Sequence, residues 1–270
     1  MIPTKISALI AFVAIAAIGS IAAINRPSSH KANTDNKGFA VIELFTSEGC
    51  SSCPPADGLV AKIQKESNDK PVYILAFHVD YWNRLGWKDA FSSADYSKRQ
   101  QDYAGYLHLQ SVYTPQIVVN GKTEFVGSEE GTLRNAIKTS LQKTPGTPLT
   151  LAIAAADQNQ ATIKYTIGGT ENNTALFVAV IQKNAQTKVE RGENGGRTLS
   201  HVQIVRKLQK VSLSGNSGEI KLALPKGFDK QGWEIIGFLQ NTANGTVTGA
   251  SKAAFSTDVS ANASGIKDSK

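Results

Sequence analysis

The alternation of strand-forming and helix-forming segments stops abruptly at residues 144–148, a Thr-Pro-Gly-Thr-Pro stretch that neither a helix nor a central strand can cross. Before it, residues 39–46 (FAVIELFT) are a short apolar run rich in β-formers, the pattern of a strand covered on both faces. Residues 56–66 come next with Leu59, Val60 and Ile63 at helical spacing, and residues 71–79 form a second apolar run. Residues 92–107 predict a polar helix carrying Tyr96, Tyr103 and Tyr106. Strands over 113–119 and 123–126 are joined by Asn120-Gly121, the strongest short hairpin signal, and residues 131–141 close the half as a helix. The order β-α-β-α-β-β-α predicts an α/β domain over 38–143, a mixed sheet with flanking helices. Beyond the 144–148 linker only strands are predicted, at 149–155, 160–167, 176–182, 201–211, 219–224, 232–239 and 246–255. Seven short strands separated by Gly/Asn turns predict an all-β, sandwich-like domain over 149–255, with residues 256–270 a flexible polar tail.

The other end of the chain concerns location. Residues 6–24 are an unbroken run of apolar and small side chains, and Ser20-Ile21-Ala22 has the small-x-small form that precedes a signal-peptidase cut. The run is longer than the roughly 7–15 residues of an ordinary signal core, and about 20 residues span a bilayer. Residues 1–25 therefore read as a cleaved export signal or as a retained anchor, and either places the remainder of the chain beyond the membrane. Residues 26–37 form a polar tether. A 270-residue chain with 41% hydrophobic and 19% charged residues is neither disordered nor a multi-span membrane protein. The basic excess behind the net charge of +7 sits mostly in the second half, where it is scattered, without the basic stripe and motif of a nucleic-acid binder. Membrane contact is expected only through the N-terminal segment.

Two cysteines exclude a disulfide scaffold and a four-thiolate zinc site. They lie within residues 43–57 (ELFTSEGCSSCPPAD) as Cys50-Ser51-Ser52-Cys53, between a predicted strand and a predicted helix. A C-x-x-C pair at such a turn is the thioredoxin-like signature. A helix N-terminus stabilises negative charge and lowers a cysteine pKa from about 8.5 towards roughly 3.5–7.5. Cys50 would be the outer, attacking thiolate and Cys53 the resolving thiol. Two other readings stay open. A structural disulfide is possible in an oxidising compartment, although so short a loop is a poor staple. Metal binding, copper in particular, needs further ligands, for which His78 and Asp80 are the candidates.

Thr114-Pro115 precedes a β run at the place where a thioredoxin-like chain carries a cis proline facing its cysteines; a trans proline on an edge strand is the alternative. Glu43 interrupts an apolar strand. Burial would raise its pKa and suit it to shuttle protons to the inner thiol, but its position requires a bulge, and a paired structural carboxylate is the other reading. Glu48, two residues before Cys50, is expected on the rim. His78, Asp80 and Trp82 come where the second strand ends, where α/β sheets place their sites, and could line a substrate groove; Trp82 and Trp87 could equally just cover the sheet. Residues 190–197 (ERGENGGR), with His201 beyond them, pack charge into a Gly-rich loop, read as a solvated hairpin tip or as a binding loop.

Residues 43–57, FHVDYWNRLGWKD (77–89), YTPQIVVNG (113–121) and ERGENGGRTLSH (190–201) together resemble the exported, largely bacterial family catalogued as domain of unknown function 1223. The resemblance spans about 39–255 and implies a thioredoxin-like domain followed by a β-rich domain, without an assigned activity. Ser51-Ser52 stand where thioredoxins usually have Gly-Pro, and Pro54-Pro55 directly after Cys53 are unusual. The expectation is an exported thiol–disulfide oxidoreductase acting on protein or small-molecule thiols and disulfides, with no separate cofactor. Its alternatives are a non-catalytic secreted or surface binding module and a copper-handling protein.

Overall fold

The computed structural model describes residues 38–67, 70–169 and 171–255. The expected export signal or anchor, the tether and the tail lie outside them. The first half comprises β1 (Ala40–Thr46), α1 (Pro54–Glu66), β2 (Val72–His78), α2 (Ala94–Tyr106), β3 (Gln116–Val119), β4 (Thr123–Val126) and α3 (Glu130–Leu141). All seven β1 residues are buried, as an apolar run with no polar face requires. Pro54 and Pro55 open α1, where a missing N–H breaks no helical bond. Ser93 caps α2 by accepting the Asp95 N–H. The β3–β4 turn is the Asn120-Gly121 pair, with φ of 50° and 65°. A Cβ on Gly121 would run into the Gly245 carbonyl oxygen, so no other residue fits there without displacement.

The second half comprises β5 (Leu149–Ala156), β6 (Gln160–Ile167), β7 (Thr174–Lys188), β8 (Thr198–Ser212), β9 (Ser217–Ala223), β10 (Trp233–Asn241) and β11 (Val247–Ala254). Strands from both halves form one mixed sheet of eight, in the order β11-β10-β7-β8-β2-β1-β3-β4. Within it β1 runs parallel to β2 and antiparallel to β3, which pairs antiparallel with β4. A separate antiparallel sheet, β5-β6-β9, packs against β7 and β10. The sequence pattern changes at 144–148, but the hydrogen-bonded sheet does not stop there. The free edge of β2 is taken up by β8, a parallel neighbour joined through Ala76 and Ile204. β7 is buried on both faces: Leu176, Val178 and Val180 meet the small sheet, while Ala179 and Ile181 join the core beneath α2.

Side chains of β1 alternate across the sheet. Ile42 and Leu44 pack with Leu59, Val60 and Ile63 of α1 and Leu133 and Ile137 of α3. Val41 and Phe45 face the other way, with Tyr96 and Tyr103 of α2. The cysteines are therefore carried on one face of the sheet, and the polar side chains of α2 occupy the other.

Candidate functional site

β1 ends at Thr46, and the chain turns through Ser47–Gly49 into Cys50. Cys50 and Cys53 are joined by a disulfide. Cys53 is the N-cap of α1, and its carbonyl accepts the N–H groups of Ala56 and Asp57. The first two helical positions are prolines and offer no N–H to an anion, so Cys50 gains less from the helix start than an ordinary first turn would give it. The Ser52 hydroxyl lies 3.4 Å from Cys50 Sγ and 3.5 Å from the Thr114 carbonyl oxygen. The peptide bond preceding Pro115 is cis. The Trp82 indole donates to Thr114 Oγ1 at 2.8 Å while the Trp82 Cβ lies over Gly49, so Thr114, Pro115 and Trp82 form one wall beside the disulfide.

Neither sulfur-bearing residue is exposed: Cys50 and Cys53 both have 0% accessible surface. The cover is the Gly-rich loop after β7. Asn194, itself fully buried, donates from Nδ2 to the carbonyls of Glu48 and Cys50, both at 2.9 Å. Arg197 holds Asn194 by donating to its Oδ1 at 2.6 Å. The Glu193 carboxylate accepts the Ser51 N–H at 2.9 Å, and the Ser51 hydroxyl and N–H together hold its pKa below the usual carboxylate range. Seven of the eight residues in 190–197 are exposed, as a solvated hairpin tip predicts; the reading is corrected at Asn194, which is buried against the Cys50 carbonyl, while Ser51 and Ser52 stay exposed. Residue types alone mark this loop as charged and Gly-rich; they do not say that its asparagine reaches a partner 144 residues away.

Beneath the disulfide, on the α1 face of the sheet, lies a buried polar cluster. Glu48, expected on the rim, is fully buried, and its Oε2 accepts the Trp87 indole N–H at 2.7 Å. Asp57, one turn after Cys53, accepts from the Thr46 hydroxyl. His78 shares Nδ1 with Asp89 at 2.7 Å, and Asp89 also accepts the N–H groups of Glu48 and Phe91. Burial pushes the Asp89 pKa up, but the His78 ring and those N–H groups outweigh it and hold Asp89 below its ordinary value. His201 of β8 completes the cluster, with its ring 4.8 Å from that of His78. Burial pulls the His201 pKa down, yet the carboxylates of Asp57 and Glu48 reverse this and raise it to about 9. Sequence reasoning misses Asp57 and Asp89 as site residues. Asp57 stands among Ala56, Leu59, Val60 and Ile63 on the buried face of α1, and a carboxylate in that stripe is the signal that marks it.

Other expected participants are placed elsewhere. Glu43 faces away from α1. Arg99 of α2 donates to both its carboxylate oxygens and the Tyr103 hydroxyl to Oε1, all buried. The Arg99 guanidinium is enclosed by the rings of Phe77, Tyr103, Phe177 and Phe238. Glu43 is thus a paired carboxylate across the sheet from the cysteines, as the alternation of strand side chains dictates, and not a proton shuttle to them. Asp80 turns to α2, where it accepts the Ser97 hydroxyl. Although two histidines and three carboxylates gather under the disulfide, among the described residues no three His, Cys, Asp or Glu side chains are arranged to hold a metal ion. No helix among those residues is long and apolar enough to cross a membrane.

A family model described as "Protein of unknown function (DUF1223)" matches residues 41–240, and the chain belongs to that family. A crystal structure of a protein from Agrobacterium tumefaciens is similar, with a TM-score of 0.63 and 28% identity, covering 83% of this chain and 97% of that one. No curated protein matches.

Proposed function

Starting from a family without an assigned activity and from the geometry around Cys50, we propose that the chain is an exported thiol–disulfide oxidoreductase of thioredoxin-like architecture. The observation that carries this reading is the placement of the Cys50–Cys53 disulfide at the start of α1, beside the Thr114-Pro115 segment. The strand order β2-β1-β3-β4, with β1 and β2 parallel, β3 antiparallel to β1 and β4 antiparallel to β3, supports the architecture. Export rests on the apolar run at 6–24. The substrate is a protein or small molecule carrying a thiol or disulfide, and Thr114, Trp82 and the rim of the 190–197 loop flank its path.

Exchange begins when the loop releases Cys50. An incoming thiolate attacks Cys50 Sγ, because Cys53 is pinned below it as the helix cap. In the opposite direction the Cys50 thiolate attacks a substrate disulfide, and Cys53 resolves the mixed disulfide. Turnover of a disulfide-bonded peptide in glutathione buffer tests this: Cys50→Ser abolishes it, and Cys53→Ala accumulates a protein–glutathione adduct at Cys50. Turnover unaffected by Cys50→Ser refutes the reading. A second reading, a binding module with an inert disulfide, is favoured by the complete burial of both cysteines beneath Asn194. It predicts that glutathione leaves the native disulfide intact.

A further inference from the structure

The polar cluster beneath the disulfide contains buried groups with no role in the exchange of sulfur bonds itself. Glu48 Oε1, His78 Nε2 and both ring nitrogens of His201 have no hydrogen-bond partner, although all are buried. Such atoms are rare in folded proteins and ask for an explanation. They are also mutually oriented. His201 Nε2 lies 3.5 Å from Glu48 Oε1, and Nδ1 lies 3.8 Å from Asp57 Oδ2. Those separations are long for hydrogen bonds but short for attraction between charges in a dry environment. Glu48 precedes Cys50 by two residues, and Asp57 comes four after Cys53, the spacing that stacks side chains on one face of a helix. The two carboxylates thus bracket the C-x-x-C, and His201 bridges them.

The environment is otherwise hostile to a second negative charge. His201 faces Glu48 from the turn after β1, Asp57 from α1, the His78 ring from β2 with Asp89 behind it, and the Phe91 ring. Opening the disulfide by attack at Cys50 places an electron pair on the buried Cys53 sulfur, one helical turn before Asp57, whose N–H donates to the Cys53 carbonyl. That thiolate has no solvent to stabilise it and no amide from the proline-headed helix.

We propose that His201 stores the proton of the Cys50–Cys53 pair and exchanges it with Cys53 by way of Asp57. The inference rests on the thiol–disulfide reading of the pair. An external thiolate attacks Cys50 Sγ; a sulfur–sulfur bond forms to Cys50, the Cys50–Cys53 bond breaks, and the electron pair leaves on Cys53. His201 gives its proton through Asp57 to that sulfur, leaving a thiol and a neutral imidazole. A second external thiolate attacks the mixed disulfide and departs as the external disulfide, and Cys50 leaves as thiolate. Two external thiols are oxidised, the protein disulfide is reduced, and solvent returns a proton to His201. In the reverse direction His201 first gives its proton to solvent, then takes the Cys53 proton through Asp57 as that sulfur attacks Cys50. His201 acts through Asp57 and is a positioning residue. The imidazolium held between Asp57 and Glu48 at neutral pH, with a pKa near 9, is consistent with a loaded store.

The test uses the full chain, chemically reduced, with thiolate formation followed by ultraviolet absorbance against pH, and separately the rate at which dithiothreitol opens the oxidised pair. In His201→Gln the carboxylates of Glu48 and Asp57 lose the counter-charge between them, and Cys53, one turn before Asp57, ionises at least one pH unit higher. Asp57→Asn removes a negative charge and shifts it the opposite way. In His201→Gln opening at neutral pH slows by tenfold or more. A purely structural role predicts no such opposed pair of shifts. Titrations coincident with wild type in both variants overturn the proposal. If His201→Gln does not fold, the Asp57→Asn titration decides alone, an unshifted curve overturning it. Wild-type protein that resists dithiothreitol refutes the exchange reading instead, while the titration of the reduced protein still decides whether His201 is coupled to Cys53.

Discussion

Asn194→Ala isolates the contact that closes the disulfide. The side chain donates to the Glu48 and Cys50 carbonyls, both at 2.9 Å, and has no exposed surface. A buried hydrogen bond between neutral groups contributes about 1 kcal/mol net, and stranding its partner adds to the loss. Truncation therefore weakens the closed loop by about 2–3 kcal/mol, while the open loop, whose carbonyls meet water, is unaffected. If a reductant reaches the sulfurs only through the open form, the observed rate equals the opening equilibrium multiplied by the intrinsic rate. At about 1.4 kcal/mol per tenfold, reduction accelerates by roughly 30- to 150-fold. The assay is pseudo-first-order reduction by glutathione with alkylation of the released thiols, run beside urea denaturation to separate local from global opening. Glu193→Ala removes only an exposed contact and gives a distinctly smaller acceleration. Rates for Asn194→Ala within about twofold of wild type refute the role of the loop as a gate.

The packing sets three further outcomes. Arg99→Met leaves the Glu43 carboxylate buried without its cation and lowers unfolding free energy by about 3–5 kcal/mol in urea titration; a loss under about 1 kcal/mol contradicts the pairing described. Because the His201 pKa rises on folding to about 9, its contribution to stability is complete below about 6.5 and declines as pH climbs through 9. The raise amounts to on the order of 3 kcal/mol, so denaturation midpoints fall across that window in wild type and stay flatter in His201→Gln; equal slopes count against it. Gly121→Ala forces a Cβ toward the Gly245 carbonyl at a positive φ and costs more than about 1 kcal/mol, measured by thermal unfolding; an unchanged midpoint contradicts the close approach.

Local chemistry makes much of this molecule legible in the sequence. Asn120-Gly121 sets its own turn, the apolar run of β1 announces two covered faces, and Cys50 and Cys53 mark the start of α1 because the strand and helix patterns abut there. The hidden features depend on partners distant in sequence. β8 joins β2 through a pairing that no periodicity encodes, since an edge strand does not specify its neighbour. Glu43 cannot be assigned until the parity of β1 is known: one residue either way exchanges the α1 face for the α2 face. Asn194 reaches the Cys50 carbonyl, and His201 reaches Glu48 and Asp57, only because β7 and β8 return the chain to the end of β1, and neither residue carries a local mark of that destination.

The most direct measurement is equilibration of the native protein with glutathione redox buffers, then acid quenching and thiol trapping. An exchanging pair gives a reversible two-electron transition within the range of roughly −120 to −270 mV spanned by thiol–disulfide oxidoreductases. A disulfide that stays closed, with a potential below about −300 mV, is a structural bond, and that result contradicts the account.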